Sequence, residues 1–207
     1  MGRPLVASND NYRQKSQGWS LITGIFGLLA FILMWASGLR CNFVKFTSVE
    51  GSSEPVVREF GIWYYQFFSY VVSANGTYLV STCNSYPDST DMDPAWKAAR
   101  AFSALTFILA VFIIVSKAFA SCSPDPNRRY GSGITAPLYL LNALFQGFTL
   151  LLLSSNACDN NNLATMKGVV FSNRCTISQG AKLSISAMVF WLAAAGASYQ
   201  EHKAWEE

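Results

Sequence analysis

The sequence predicts a membrane all-α four-helix bundle that carries a small extracellular antiparallel β-sheet in its first loop. Hydrophobic residues make up 51% of the 207 residues and charged residues only 13%. The hydrophobic excess gathers in four blocks of roughly 17 to 21 residues, long enough to cross about 30 Å of hydrocarbon at 1.5 Å per residue. The one long polar loop between them is rich in aromatic residues, which favour pleated structure. The chain is therefore expected to be an integral membrane protein with a folded loop.

The predicted topology has both chain ends on one side of the membrane. The spans are residues 19–39, 98–120, 134–153 and 181–199, and the segments on the side of the chain ends are 1–18, 121–133 and 200–207. The loops 40–97 and 154–180 lie on the opposite side. Of the 15 Lys and Arg residues, seven fall on the side of the ends and eight on the other. Because those eight are spread over longer loops, the positive-inside rule favours cytoplasmic ends, in a plasma membrane or another secretory-pathway membrane.

The first block, residues 19–39, has a competing interpretation as a signal peptide. Basic residues precede it, and Ala36-Ser37-Gly38 is small enough for cleavage. The block is long for the hydrophobic region of a signal peptide, however, and Trp35 lies just before the cleavage point. We therefore predict that the block is retained as the first span.

The first loop predicts a sheet from its own pattern. Residues 43–49 alternate as a strand does, and the aromatic run 59–68 predicts a second strand. Residues 69–73 and 77–83 flank Asn75-Gly76, a dipeptide typical of hairpin turns because both residues accept positive φ. A re-entrant or interfacial segment over the apolar run 60–72 is the alternative, since that run is too short to span. The sheet is favoured.

Four of the five cysteines fall in the two loops on the side of the sheet, which predicts an oxidising compartment there. Four cysteines allow three connectivities. Pairing within each loop, Cys41 with Cys83 and Cys158 with Cys175, is the favoured one, and pairing between the loops stays an open alternative. The first pair would close the sheet, and the second would clip two helix ends together.

Two further modification sites are predicted. Asn75-Gly76-Thr77 is a glycosylation sequon, so Asn75 is expected to carry a glycan in an extracellular loop. Cys122 lies at the edge of the basic turn 121–133, a position that suits reversible acylation. A free juxtamembrane thiol is the alternative for Cys122.

Asp88, Asp91 and Asp93 form an acidic cluster just before Pro94. Hard cations bind several oxygens, so a weak calcium site is one interpretation. A solvated turn whose acids cap the second helix is the other, since acids before a proline at a helix start are a common signal. The capping turn is favoured, and no metal site is predicted.

The polar residues of the third block recur at steps of four, three, four and three. This spacing places them on one helical stripe: Thr135, Tyr139, Asn142, Gln146 and Thr149. Amides in hydrocarbon need partners, so the stripe is expected to face other helices or water. A conduction path is the alternative. Because no acid, histidine or lysine lies in mid-membrane, hydrogen bonding between helices is favoured.

Several function classes fit the composition poorly. The net charge of +3 is scattered, which argues against nucleic-acid binding. The single histidine, His202, lies in the charged tail without a metal-ligand spacing, so neither an enzyme nor a cofactor is predicted. A proton-coupled transporter would keep ionisable residues inside the membrane. The expected partners are the lipid bilayer and a membrane protein, either a different one or a second copy.

Three short motifs carry a family resemblance: Gly61-Ile62-Trp63 in the first loop, Ala98-Ala99-Arg100-Ala101 at the start of the second span, and Gly180-Ala181-Lys182-Leu183 at the start of the fourth. The first resembles the Gly-Leu-Trp signature of the claudin, peripheral-myelin-protein and stargazin-like superfamily. The second, with Cys122 after its helix, is similar to a claudin's second helix, and the third to its Gly-Ala-x-Leu entry. The resemblance implies a claudin-like fold over the whole chain.

Two departures limit what the resemblance implies. In claudins both first-loop cysteines follow the Trp at close spacing, whereas Cys41 precedes Gly61 and Cys83 lies well beyond Trp63. The ending Trp205-Glu206-Glu207 also differs from the hydrophobic ending with which many claudins bind scaffold domains. The resemblance therefore implies the sheet and the bundle, but not tight-junction function.

Three non-enzymatic functions remain. In the first, the extracellular loops act in protein–protein contact, cell adhesion or barrier formation, with a contact surface formed by Gly61, Ile62, Trp63, Tyr64 and Tyr65. In the second, the chain is an accessory subunit of a larger channel or receptor complex. In the third, an oligomer forms a passive pore. Trp63 is also expected to be structural, seated between the sheet and the helix tops.

Overall fold

The computed structural model describes residues 7–50, 56–73, 76–122, 132–159 and 169–206. Its helices are α1 (Ala7–Leu39), α2 (Pro94–Cys122), α3 (Ser132–Phe148), the single turn α4 (Asn156–Asp159) and α5 (Gln179–Glu206), and a 3₁₀ segment (Thr149–Ser154) follows α3. Its strands are β1 (Val44–Glu50), β2 (Val57–Phe60), β3 (Tyr64–Ser73), β4 (Gly76–Ser85), β5 (Val170–Phe171) and β6 (Thr176–Ile177). Strands of both long loops belong to one sheet, because β1 pairs with β5 and β6.

Four helical segments are long and apolar enough to cross a membrane, which confirms the four predicted spans by length and composition. They cover Ser16–Leu39, Pro94–Phe119, Ile134–Asp159 and Gln179–Ala204. The third of them includes the 3₁₀ segment and α4. The chain therefore has the features of a multi-pass membrane protein.

Helix α5 is central to the packing of the bundle. It lies along α1 and along α3, while α2 packs on α3 and the 3₁₀ segment and makes fewer contacts with α1. On α1, Gly27 leaves room for Tyr139 of α3, whose hydroxyl oxygen would lie 3.3 Å from a Cβ at that glycine. Small residues of α5 allow helices to approach closely, and those buried are Ala181, Ser184, Ala187, Ala194, Ala195, Ala197, Ser198 and Ala204.

The buried hydrophobic residues form two clusters. One lies within the helices and includes Tyr139 of α3 and Trp191 of α5. The other lies where the sheet meets the helix tops and includes Phe43, Ile62 and Trp96. The sheet is therefore not a separate domain, because its core is shared with the ends of α2 and α5.

The sheet is antiparallel, with the strand order β4-β3-β2-β1-β5 and with β6 also paired to β1. The predicted single strand over residues 59–68 is wrong. The chain turns sharply after Phe60, and β2 and β3 pair with each other at Phe60 and Tyr65. Strands β5 and β6 come from the second loop and were not predicted, because each has only two residues.

Strands β3 and β4 form the predicted hairpin. They pair from Tyr64 with Ser85 to Ser73 with Gly76. The alternative of a re-entrant segment over residues 60–72 is therefore wrong, since most of that run is paired strand. Residues 74 and 75 of the turn lie outside the described residues.

Helices α1 and α5 extend furthest beyond the predicted spans. Helix α1 begins at Ala7 and continues to Leu39, and the retention of this block stays a prediction. Helix α5 continues through the predicted charged tail to Glu206. Within this extension, Glu201 is buried and accepts a hydrogen bond from Lys117 of α2, with Nζ 2.8 Å from Oε2. A largely buried ion pair thus links α2 to α5 at the end of the bundle away from the sheet.

Removing one member of this ion pair should destabilise the bundle. Lys117→Met leaves the Glu201 carboxylate buried without that partner, a change that costs about 3–5 kcal/mol when such a pair is fully buried. The double variant with Lys117→Met and Glu201→Gln should regain most of this stability, because it removes both charges together. Thermal unfolding in detergent measures both variants, and equal destabilisation of the single and the double variant would contradict the expectation.

Candidate interaction site: the disulfide-closed sheet

The sharp turn between β2 and β3 holds the motif Gly61-Ile62-Trp63. The Gly61 N–H donates to the Tyr64 carbonyl at 2.7 Å and closes the turn. A Cβ at Gly61 would collide with the carbonyl oxygens of Arg40 and Tyr64. Glycine is required here because the backbone that leaves α1, the α1 exit segment (residues 40–43), passes directly against the turn. The turn and the exit segment therefore form one unit.

Two aromatic side chains hold the carbonyl groups of this turn. The Tyr86 hydroxyl donates to the Gly61 carbonyl at 2.9 Å, and Trp96 Nε1 donates to the Ile62 carbonyl at 3.3 Å. The two rings meet edge-to-face, with centroids 4.8 Å apart. Burial raises the pKa of the Tyr86 phenol above its ordinary value of 10.0, and the nearby Arg100 lowers it by less. Tyr86 therefore stays a neutral donor at physiological pH.

Trp63 lies between the sheet and α2, as predicted. Its Nε1 donates to the Ser103 hydroxyl at 3.3 Å. The guanidinium carbon of Arg100 lies 4.3 Å from the centroid of the Trp63 ring, close enough for a cation–π attraction of about 0.5–1 kcal/mol at an exposed site. Arg100 thereby connects the motif that opens α2 to the motif in the first loop.

The predicted contact surface is only partly a surface. Gly61 and Ile62 are buried between the sheet and the helices, with Ile62 only 1% exposed, so the prediction that they contact a partner is wrong. Trp63, Tyr64 and Tyr65 are half-buried. The reason is that the sheet shares a hydrophobic core with the helix tops, and apolar residues of a polar loop can be needed in that core rather than at a partner.

Gly180 plays a matching role at the start of α5. Its N–H donates to the Asn42 carbonyl at 2.8 Å, and a Cβ there would lie 3.0 Å from the Phe43 Cα. Phe43 donates its N–H to the Phe60 carbonyl at 2.9 Å and accepts the Ser178 N–H at 3.0 Å. The α1 exit segment is therefore held by both the end of β2 and the start of α5.

Disulfides join Cys41 to Cys83 and Cys158 to Cys175, the pairing favoured from the sequence. The first ties the α1 exit segment to β4, and the second closes the second loop. Sequence separations of 42 and 17 residues correspond to stabilisation by loop entropy on the order of 4 and 3 kcal/mol. Both bonds lie at the sheet end of the molecule.

Asp93 joins the two loops, a role that the sequence did not reveal. One carboxylate oxygen accepts the Trp96 N–H at 3.0 Å and caps α2, which confirms the predicted capping role for this residue. The other accepts the Asn156 N–H at 3.1 Å. Within the described part of the chain, no group of His, Cys, Asp and Glu side chains is arranged to hold a metal ion. The geometry therefore gives the calcium alternative no support.

Strand β4 is the terminal strand of the sheet, and one of its edges has no partner strand among the described residues. Its ten residues, Gly76–Ser85, include no charged residue and no proline, which are the common means of blocking an edge. Residues 81–85 are exposed throughout. Beside them on β3, Phe67 is 43% exposed and pairs with Thr82. An edge with these properties can accept a strand from another chain.

The polar stripe of α3 faces α5. Tyr139 and Asn142 are only 2% and 0% exposed. The buried amide of Asn142 has no hydrogen-bond partner among the described residues. Three hydrogen bonds join the stripe to α5: Thr135 to Ser198 (2.6 Å), Gln146 to Ser184 (2.6 Å) and, from the 3₁₀ segment, Thr149 to Ser184 (2.9 Å). These contacts favour the role in helix packing over a conduction path.

The two other predicted modification sites stay predictions. Asn75 lies outside the described residues. Cys122 is the last residue of α2, and its side chain is outside the described part of the chain.

No protein-family model and no curated protein matches this chain. The chain is therefore described by its own geometry: four helical segments long and apolar enough to cross a membrane, with a disulfide-closed antiparallel sheet fixed to the helix tops.

Tyr86→Phe should destabilise the protein at neutral pH, because the buried Gly61 carbonyl loses its donor at a cost of about 1–3 kcal/mol. The folded state holds the Tyr86 proton more tightly than the unfolded state does. The wild-type contribution is therefore fully present below pH 10 and is lost as pH rises above it. Unfolding measured between about pH 8 and 11 should show the gap between wild type and Tyr86→Phe narrowing above pH 10. A gap that widens would contradict this.

Gly61→Ala should cost about 1–3 kcal/mol or prevent folding, since the new methyl group meets backbone atoms that cannot move independently. Gly24→Ala is the matched control, because a Cβ at Gly24 has no neighbour within 4 Å and alanine is the better helix former. Thermal unfolding in detergent compares the two variants. Equal effects would show that the close approach at Gly61 does not constrain the turn.

Proposed function

We propose that this chain is a multi-pass membrane protein that acts through protein–protein contact. Its sheet lies outside the cytoplasm, and both chain ends lie in the cytoplasm. The observation that carries the proposal is the open edge of β4, a ten-residue strand without charge or proline. Such an edge binds another strand through main-chain hydrogen bonds. Contact of this kind between molecules on facing or neighbouring membranes would serve cell adhesion or barrier formation.

The positions of the cysteines support the proposed orientation. Disulfides persist in oxidising compartments and are rare in the cytosol. Both disulfides of this chain join segments at the sheet end of the bundle. Helix α2 ends at Cys122 and α3 begins at Ser132, both at the opposite end of the bundle. The sequence between them is basic, and the positive-inside rule favours the cytoplasm for such a segment.

The covalent and hydrogen-bonded attachment of β4 and its neighbouring turn to the helices supports a role in binding. A contact element that is already ordered loses less entropy when it binds. The Cys41–Cys83 bond fixes β4 to the α1 exit segment. Trp63 and its hydrogen bond to Ser103 fix the turn before β3 to α2. Phe67 offers a partner an exposed aromatic anchor one strand in from the edge.

The resemblance to the claudin-like superfamily supports the same class of function, since it too implies a first-loop sheet above four helices. The cysteine spacing and the ending Trp205-Glu206-Glu207 depart from the claudin pattern. The proposal is therefore restricted to contact through the sheet and does not include tight-junction function.

Charged residues on the edge test the proposal. In non-adherent cells, expression of the wild-type protein should cause aggregation. A variant with Thr82→Lys and Asn84→Lys should lower aggregation to the level of cells without the protein, because lysine on an edge strand disfavours pairing. Asn173→Lys is the matched control, an exposed position in the second loop away from β4, and should aggregate as wild type does. Surface labelling verifies equal delivery of all three.

The other outcomes are distinct. Aggregation that survives both lysines would contradict the role of β4. If cells do not aggregate and gentle detergent extraction recovers one larger membrane protein at a fixed ratio, the accessory-subunit function replaces the adhesive one. A monomeric extract without cell aggregation would contradict contact functions of both kinds.

A further inference from the structure

We propose that the cleft between α1 and α2 binds one glycerophospholipid, with the lipid phosphate at Arg100 and an acyl chain between the two helices. The proposal concerns the membrane-facing side of the bundle and does not depend on what pairs with β4.

Helices α1 and α2 contact each other much less than α1 contacts α5 or α2 contacts α3, and a cleft lies between them. It has a volume of about 390 Å³ and lies at the sheet end of the spans. Its lining is mainly apolar and includes Met34, Trp35 and Gly38 of α1, Ala104 and Phe107 of α2, and Trp63 of the first loop. A pocket of this size is within the range of small-molecule and lipid sites.

Gly38 keeps the upper part of the cleft open. The only heavy atom within 4 Å of a Cβ at this position is Ser103 Oγ, at 3.8 Å. Farther from the sheet, the rings of Trp35 and Phe107 pack against each other across the cleft, with centroids 5.1 Å apart. Both side chains are also substantially exposed, 47% for Trp35 and 37% for Phe107. Within a membrane span, exposed aromatic surface of this kind contacts hydrocarbon.

Arg100 lies one helical turn before Ser103 and Ala104 on α2, and its guanidinium contacts Trp63, a residue that lines the cleft. Residues 100, 103, 104 and 107 share one face of α2 because they are three and four positions apart, and the last three line the cleft. The Arg100 guanidinium lies on the ring of Trp63, and Trp63 lines the cleft. The order from the sheet downward is thus a cation, a hydroxyl at Ser103, and then apolar side chains.

The contacts of Arg100 do not neutralise its charge. Its neighbours are the Trp63 ring, 4.3 Å from the guanidinium carbon, and the Met92 sulfur, 3.0 Å from Nη1. The ion pairs found between described residues are Lys117–Glu201 and Arg174–Asp159, and neither includes Arg100. The residue belongs to the candidate span Pro94–Phe119, where a charge is costly without an anion or water. Guanidinium groups bind phosphate oxygens especially well.

A phospholipid matches this order of groups better than the other occupants do. It presents a phosphate at the level where a span leaves the hydrocarbon, with acyl chains directly below. A sterol offers a hydroxyl but no anion for Arg100. An apolar helix of a second copy would fill the cleft but would likewise leave the guanidinium without a negative partner.

Native mass spectrometry of the full-length protein with added dioleoylphosphatidylcholine tests the proposal. Wild type should retain one phospholipid per chain. Gly38→Leu should abolish retention by filling the cleft, while Gly24→Leu, the same change in the same helix at an open position, should retain the lipid as wild type does. Arg100→Gln should weaken binding by at least about tenfold, the order expected when a charge-assisted hydrogen bond is lost. Arg100→Lys should bind more tightly than Arg100→Gln.

Equal lipid retention by wild type and Gly38→Leu would overturn the proposal, and so would retention that Arg100→Gln leaves unchanged. Retention of cholesterol that phosphatidylcholine does not displace would assign the cleft to a sterol instead. A dimer mass that Gly38→Leu removes would assign it to a second copy. Because Arg100→Gln and Arg100→Lys do not fill the cleft, they keep the test decisive even if Gly38→Leu fails to fold.

Discussion

The structure depends on a short stretch of backbone, the α1 exit segment, that must pass between two glycines. Gly61 contacts it from the turn after β2, and Gly180 contacts it from the start of α5. Cys41, inside the segment, is bonded to β4. The first helix, the sheet and the last helix are therefore all connected through the four consecutive residues of this segment. Any side chain at either glycine would separate parts that share one hydrophobic cluster.

Hydrophobic block length predicted the bundle well, because the thickness of a bilayer sets a strong constraint on chain length. The cysteine pairing and the hairpin around Asn75-Gly76 could also be anticipated, since they depend on nearby residues and on compartment chemistry. The break between β2 and β3 was missed, although Gly61 interrupts the aromatic run 59–68 and an isolated glycine in a strand pattern indicates a bulge or a close approach of backbone. What turns the chain there is a close approach to Arg40, twenty-one positions before Gly61 in the sequence.

The candidate site was predicted less well than the fold, for a related reason. The motif Gly61-Ile62-Trp63 marked the right place but suggested the wrong role, since an apolar and aromatic motif in a loop does not tell a partner's surface from the core that the sheet shares with the helices. Tyr86 and Asp93 act through backbone groups of distant segments, and such bonds leave no local pattern. The absence of charge and proline in Gly76–Ser85 was readable from the sequence, yet it gains meaning only once β4 is known to lie at the edge of the sheet.

The pairing of α1 with α5 orders events during synthesis in the membrane. The main neighbour of α1 is α5, the last helix to leave the ribosome. Helix α1 therefore stays without this neighbour while α2 and α3 are synthesised. Contacts of such long sequence separation form late. The attachment of the sheet to the bundle also forms late, because Ser178 and Gly180 donate hydrogen bonds to the α1 exit segment. A nascent chain that stops before residue 178 would therefore lack both its tightest helix pair and the anchor of its sheet.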